Sequence, residues 1–114
     1  MDESNRLLKQ IEDTAILLYQ NKEQEGMEQV VQLLLQFQNI VQNLTVEQMQ
    51  NVGNFALIML KELMERYNCA DMLGMADCLM MKSTLLIQYI KQVIQLMVQL
   101  LMLLQLIHCL ERIL

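Results

Sequence analysis

The sequence predicts an all-α fold: an up-and-down bundle of four to five helices with a long apolar C-terminal helix. Three observations carry that reading. The 114 residues contain no proline and three glycines, so the chain has few points at which a helix must stop. Apolar residues recur at spacings of three and four along most of its length, the period of a helix with one buried face. From Val93 to Leu110 the sequence reads VIQLMVQLLMLLQLIHCL, with no Asp, Glu, Lys, Arg, Gly or Pro, and such a stretch has to be hidden from water.

At this length residues 1–114 form a single domain with one core, large enough to fold unaided. The composition is 54% hydrophobic but only 4% aromatic, so Leu, Ile, Val and Met fill the interior.

The first helix is expected over about 4–21. Leu7, Leu8, Ile11, Ala15 and Leu18 make its apolar face, with Asp2 or Ser4 as N-cap. The polar run Asn21 to Glu25 interrupts the pattern, and Gly26 is the expected hinge because glycine tolerates positive φ. A second helix follows over about 27–43. Met27, Val30, Leu34, Phe37, Val41 and Leu44 form its seam, which Val31, Leu33 and Ile40 widen.

Thr45-Val46-Glu47-Gln48 fits a capping box and starts a third helix, about 46–67. Its expected core residues are Met49, Val52, Phe55, Ala56, Met59, Leu60, Leu63 and Met64. Gly53 inside it suggests a close helix crossing. Asp71 is the natural N-cap of the fourth helix, about 71–113, which either breaks near 82–84 or runs on. Unbroken, it spans roughly 65 Å against about 30 Å for each earlier helix. It would then overhang the bundle and need a second subunit. Gln88, Gln92, Gln95 and Gln99 form a polar stripe along it, with Leu, Ile, Val and Met around.

The charge pattern narrows the partners. The net charge is −5, with eight acids and three bases in residues 1–47 and five of each in residues 48–114. No basic stripe exists, so nucleic acid is excluded as a partner. Between Gly26 and Leu60 the only charges are Glu28 and Glu47, and fifteen Gln supply much of the polar surface. A neutral helical surface of this kind favours self-association or a groove for another helix.

No motif carries catalysis, so the chain reads as non-enzymatic, with no catalytic, cofactor or metal site. His108 and Cys109 are neighbours on a helix and diverge by about 100°, which does not make a nucleophilic pair. Asp71 and Asp77 point to different sides, Asp71 to cap and Asp77 to meet solvent or Lys82. Gly53 and Gly74 stand alone, so no phosphate loop is present. Cys69, Cys78 and Cys109 contain no CxxC and cannot all pair within one chain. MDESNRLLKQ has no apolar signal region, and a reduced, cytoplasmic location is the expectation.

The candidate interface combines two sets. Met72, Met75, Met80 and Met81 cannot all face inward on one helix, and methionine makes a pliable binding surface. Ile94, Met97, Val98, Leu101 and Leu104 belong to the apolar tail. The expected partner is a second copy, in a homodimer, or a helical client protein. The alternative is a membrane-associated protein anchored by residues 93–110, a stretch at the lower limit of a span with three Gln and one His inside it.

The segment Ala70-Asp71-Met72-Leu73-Gly74-Met75-Ala76-Asp77-Cys78-Leu79 resembles a pattern in small acidic helical proteins of Firmicutes found near motility genes. Asp71, Ala76, Asp77 and Leu79 are the matching positions, and Leu18-Tyr19 to Gly26 is similar in placement. The resemblance covers about residues 5–91. It implies a chaperone-like helical bundle, akin to flagellar export chaperones, that cradles a client helix. The chain departs from that pattern at Lys82, where an acid and then Pro are usual, and in its apolar tail.

Overall fold

The structure, a computed structural model, describes residues 3–113 and is all-α. Four helices follow one another: α1 (Glu3–Tyr19), α2 (Glu23–Gln42), α3 (Val46–Asn68) and α4 (Met72–Ile113). Contacts run α1–α2, α2–α3, α3–α4 and α4–α1, so the bundle is a four-cornered up-and-down ring with α2 diagonal to α4. Of the two alternatives the unbroken one holds: α4 is continuous and no fifth helix forms among the described residues.

The turns explain where helices stop. Asn21, not Gly26, takes the positive φ after α1, at 61°. The Lys22 N–H reaches the Leu17 carbonyl at 3.0 Å and the Asn21 N–H that of Leu18 at 3.1 Å, a Schellman closure. Gly26 lies instead in the first turn of α2, which begins at Glu23, four residues earlier than expected. Its role is proximity: a Cβ there would come within 2.7 Å of Leu18 Cδ2, so α1 and α2 approach closely only because the side chain is missing.

Ser4 is inside α1 and does not cap it, and Asp2 lies outside the described residues. The Thr45 capping box is present: Thr45 Oγ1 accepts from the Gln48 N–H, and Gln48 Oε1 accepts from the Thr45 N–H at 3.0 Å.

A second Schellman closure ends α3. The Asp71 N–H donates to the Arg66 carbonyl at 2.9 Å, and Ala70 adopts φ 51°. An L side chain in the left-handed region costs about 1–2 kcal/mol, part of which glycine's extra unfolded-state entropy offsets. Ala70→Gly is therefore expected to stabilise the protein by about 1 kcal/mol, read as a higher urea midpoint at unchanged slope.

The core runs through all four helices and is made of Leu7, Ile11, Ala15 and Leu18 from α1, Val30, Leu33 and Phe37 from α2, and Ala56, Met59, Leu60 and Leu63 from α3. From α4 come Met75, Ala76, Cys78, Leu79, Leu86 and Ile87. No residue beyond Ile87 is buried among those described. Three expected core residues of α3, namely Met49, Phe55 and Met64, lie on the outside. The seam of α3 is narrower than its apolar composition suggests. On α2 Leu33 is central, and Val31 is at the surface. Gly53 is not a crossing point either, since the atoms nearest its missing Cβ belong to Met49 of its own helix.

Within α4 the backbone widens to a π-turn over Leu79–Ser83 instead of breaking at 82–84. Thr84 stabilises it by directing both its N–H and its hydroxyl to the Leu79 carbonyl, the latter at 3.0 Å. The extra residue turns Ser83 into the core, where its hydroxyl reaches Met59 Sδ at 3.2 Å. The helix then continues to Ile113, and the whole molecule measures 65 × 28 × 18 Å.

Candidate functional site

Every described residue from Ile94 to Ile113 is exposed. Thirteen of them are large apolar side chains, including Ile94 at 49% and Leu104 at 61% exposure. Half-exposed aliphatic side chains forgo roughly 1 kcal/mol each relative to full burial, so the thirteen together forgo roughly 13 kcal/mol. A whole domain is ordinarily stable by about 5–15 kcal/mol. The free half of α4 therefore holds an unsatisfied driving force as large as the stability of a folded head. Few soluble monomers expose an apolar surface of that extent.

Its faces are not equivalent. Gln88, Gln92, Gln95 and Gln99 keep one stripe polar as far as Gln99. Opposite them, Leu86 and Ile90 in the bundle lead into Met97, Leu101 and Leu104 at spacings of seven, four and three. The face that α4 turns toward its own core is thus prolonged past the end of the core. From Leu100 to Leu104 the sequence is LLMLL, and there the helix is apolar right round.

The two sets of interface candidates separate. Ile94, Met97, Val98, Leu101 and Leu104 are all exposed on the free half of α4. Met80 and Met81 are exposed beside the π-turn, Met81 at 68%. Met75, however, is wholly buried among the core residues, and Met72 packs half-buried at the core margin. The early turns of α4 face α1 and α3 together, which absorbs more of its methionines than a single seam would. Sequence reading missed the apolar surface of α2 and α3, where Leu35, Leu57 and Ile58 are exposed. The run Leu33-Leu34-Leu35 carried the signal, since three consecutive helical residues cannot share one face.

Charged groups near the bundle serve structure. Asp71 accepts from the Gly74 N–H at 2.9 Å and from Arg66 at 2.8 Å. The Gly74 N–H, with a further contribution from Arg66, holds its carboxyl below the usual range against desolvation. The stability that this capping carboxylate contributes is present above its ordinary pKa of about 3.9 and lost as pH falls through the lowered value. Asp71→Asn keeps the cap but removes the titration, so its Tm should fall less steeply with acid than that of the native chain.

Asp77 accepts from the Tyr19 hydroxyl at 2.6 Å, which pushes the Tyr19 pKa up. It does not meet Lys82, which pairs instead with Glu62. The Cys78 thiol is buried and pushed up to about 11, mainly by desolvation, so it is an inert core group. Cys69 and Cys109 are exposed. His108 sits on the free half of α4, and no group of three or more His, Cys, Asp or Glu among the described residues could hold a metal ion.

No protein family model, curated protein or solved structure matches this chain.

Proposed function

We propose that this is a non-enzymatic cytoplasmic protein that acts by binding another polypeptide through the free half of α4. A second copy of the chain is the simplest partner, and a chaperone- or adaptor-like grip on a client helix is the other form of the same activity. One observation carries this reading. The core-facing row of α4 continues as Met97, Leu101 and Leu104 beyond the last core residue, and as far as Gln99 a stripe of glutamines runs opposite it. A helix with one apolar and one neutral polar face suits packing on protein, where the polar stripe stays in water.

A bilayer is the second reading, favoured by the belt at Leu100–Leu104 that lacks any polar face. The helix is also long and apolar enough to cross a membrane. Light scattering during size-exclusion chromatography of the full chain, without detergent, separates the two. A soluble dimer is the expected result. A soluble monomer would refute self-association, and a chain recovered only in detergent would favour the bilayer.

A further inference from the structure

The geometry points to the occupant of a second surface: the free half of α4 from one copy lies in the α2–α3 groove of another, reciprocally, in an antiparallel pair. This deepens the association proposed above and rests on it.

The groove between α2 and α3 has a volume of about 630 Å³. Val41, Leu57, Leu60 and Met64 give it an apolar lining, and Gln38 and Gln42 extend the uncharged surface. Its two charges, Lys61 and Glu65, are of opposite sign and cancel. Leu57 and Met64 are exposed in it. Two other grooves are less suited to an uncharged helix. The groove against α1 presents Arg6, Lys9 and Asp13, and the one beside Tyr67 presents Glu23 and Glu28. Between Gln92 and Leu110 the tail has no charge to pair with any of these.

Length and position agree with the match in polarity. At 1.5 Å per residue, α4 spends about 33 Å in the bundle (residues 72–93) and about 30 Å beyond it (residues 94–113). Because the halves are nearly equal, inverting a second copy sets each head beside the other's tail in register. The groove is also on the correct side. Since α2 is diagonal to α4, the α2–α3 groove opens on the side of the bundle away from the α4–α1 edge. The inward row Met97, Leu101 and Leu104 of one copy then faces a head stacked over its own. Tail and groove each serve twice about a two-fold axis, a closed arrangement that sets the inward row of both tails against protein. Two such contacts approach the 20–30 residues a side of a stable interface.

The arrangement makes a specific demand on the thiols. Cys69 follows α3 at the base of the bundle, and Cys109 is near the far end of α4, about 60 Å away in the same chain. In the inverted pair the Cys109 of one copy comes beside the Cys69 of the other. Cys78 is buried and does not compete.

The test treats the reduced full chain with a short bismaleimide and identifies the linked peptides by mass. Dimer-mass product joined Cys69 to Cys109, lost in Cys69→Ser, is expected. Leu57→Glu with Met64→Glu should abolish the product and yield a monomer with unchanged circular dichroism, since both side chains are on the surface. A dimer linked Cys109 to Cys109, or a dimer with no link, overturns the groove while leaving self-association standing. A monomer by light scattering, or a Cys69–Cys109 link at monomer mass, overturns both.

Discussion

Ending the chain at Val93 is expected to turn a dimer into a soluble monomer whose bundle remains folded. The prediction has two independent halves. The head should survive because every buried residue among those described lies at or before Ile87, and the tie from Lys91 Nζ to Asn5 Oδ1 at 2.5 Å is retained. The association should vanish because roughly 13 kcal/mol of potential apolar burial goes with the tail. Light scattering reads the mass, and urea unfolding of the truncated chain reads the head. A truncated chain that remains dimeric would move the interface to the bundle surface. One that unfolds would mean that the tail supports its own head. Restoring the tail with Leu101→Lys and Leu104→Lys should give the monomer again, since the inward row would then place two charges against an apolar groove.

The largest effect on stability is expected at Phe37. It is the largest fully buried side chain, in the C-terminal half of α2 with no exposure. Phe37→Ala removes its transfer free energy and leaves a cavity, a loss of about 3–5 kcal/mol. In a bundle stabilised by about 5–15 kcal/mol this is a third or more of the total in most cases. Equilibrium urea unfolding of the chain ending at Val93 is the suitable measurement, because mass action from the proposed dimerisation would otherwise inflate the apparent stability. A change below about 1 kcal/mol would mean that the packing around Phe37 collapses to fill the space. Val31→Ala, less than two turns away on the outer face of the same helix, should change stability by well under about 1 kcal/mol in the same chain.

The contrast between Phe37 and Val31 indicates how much of this protein is legible in its residues. Both are apolar and both fit a helical seam when α2 is read alone. Only the positions of α1 and α3 decide that Phe37 is inside and Val31 outside. The same holds for the methionines. Composition announces a surplus of them, but the π-turn and the two flanking helices determine that Met75 is core while Met81 is surface. In the candidate site, the tail was recognisable from its lack of charge. The groove was not, because its lining comes from two helices whose facing surfaces are set by packing.

By itself, the sequence determined that the chain is helical, that Thr45 and Asp71 begin two of its helices, and that residues 93–110 need a cover. These are local properties: capping chemistry, period and hydrophobicity act within a few residues of one another. Only the tertiary structure decided that α4 passes through residues 82–84 unbroken and that Asn21 in place of Gly26 makes the first turn. It also decided that the bundle closes its core before the tail begins. Those outcomes depend on how four helices share a limited buried volume, and no single segment contains that information.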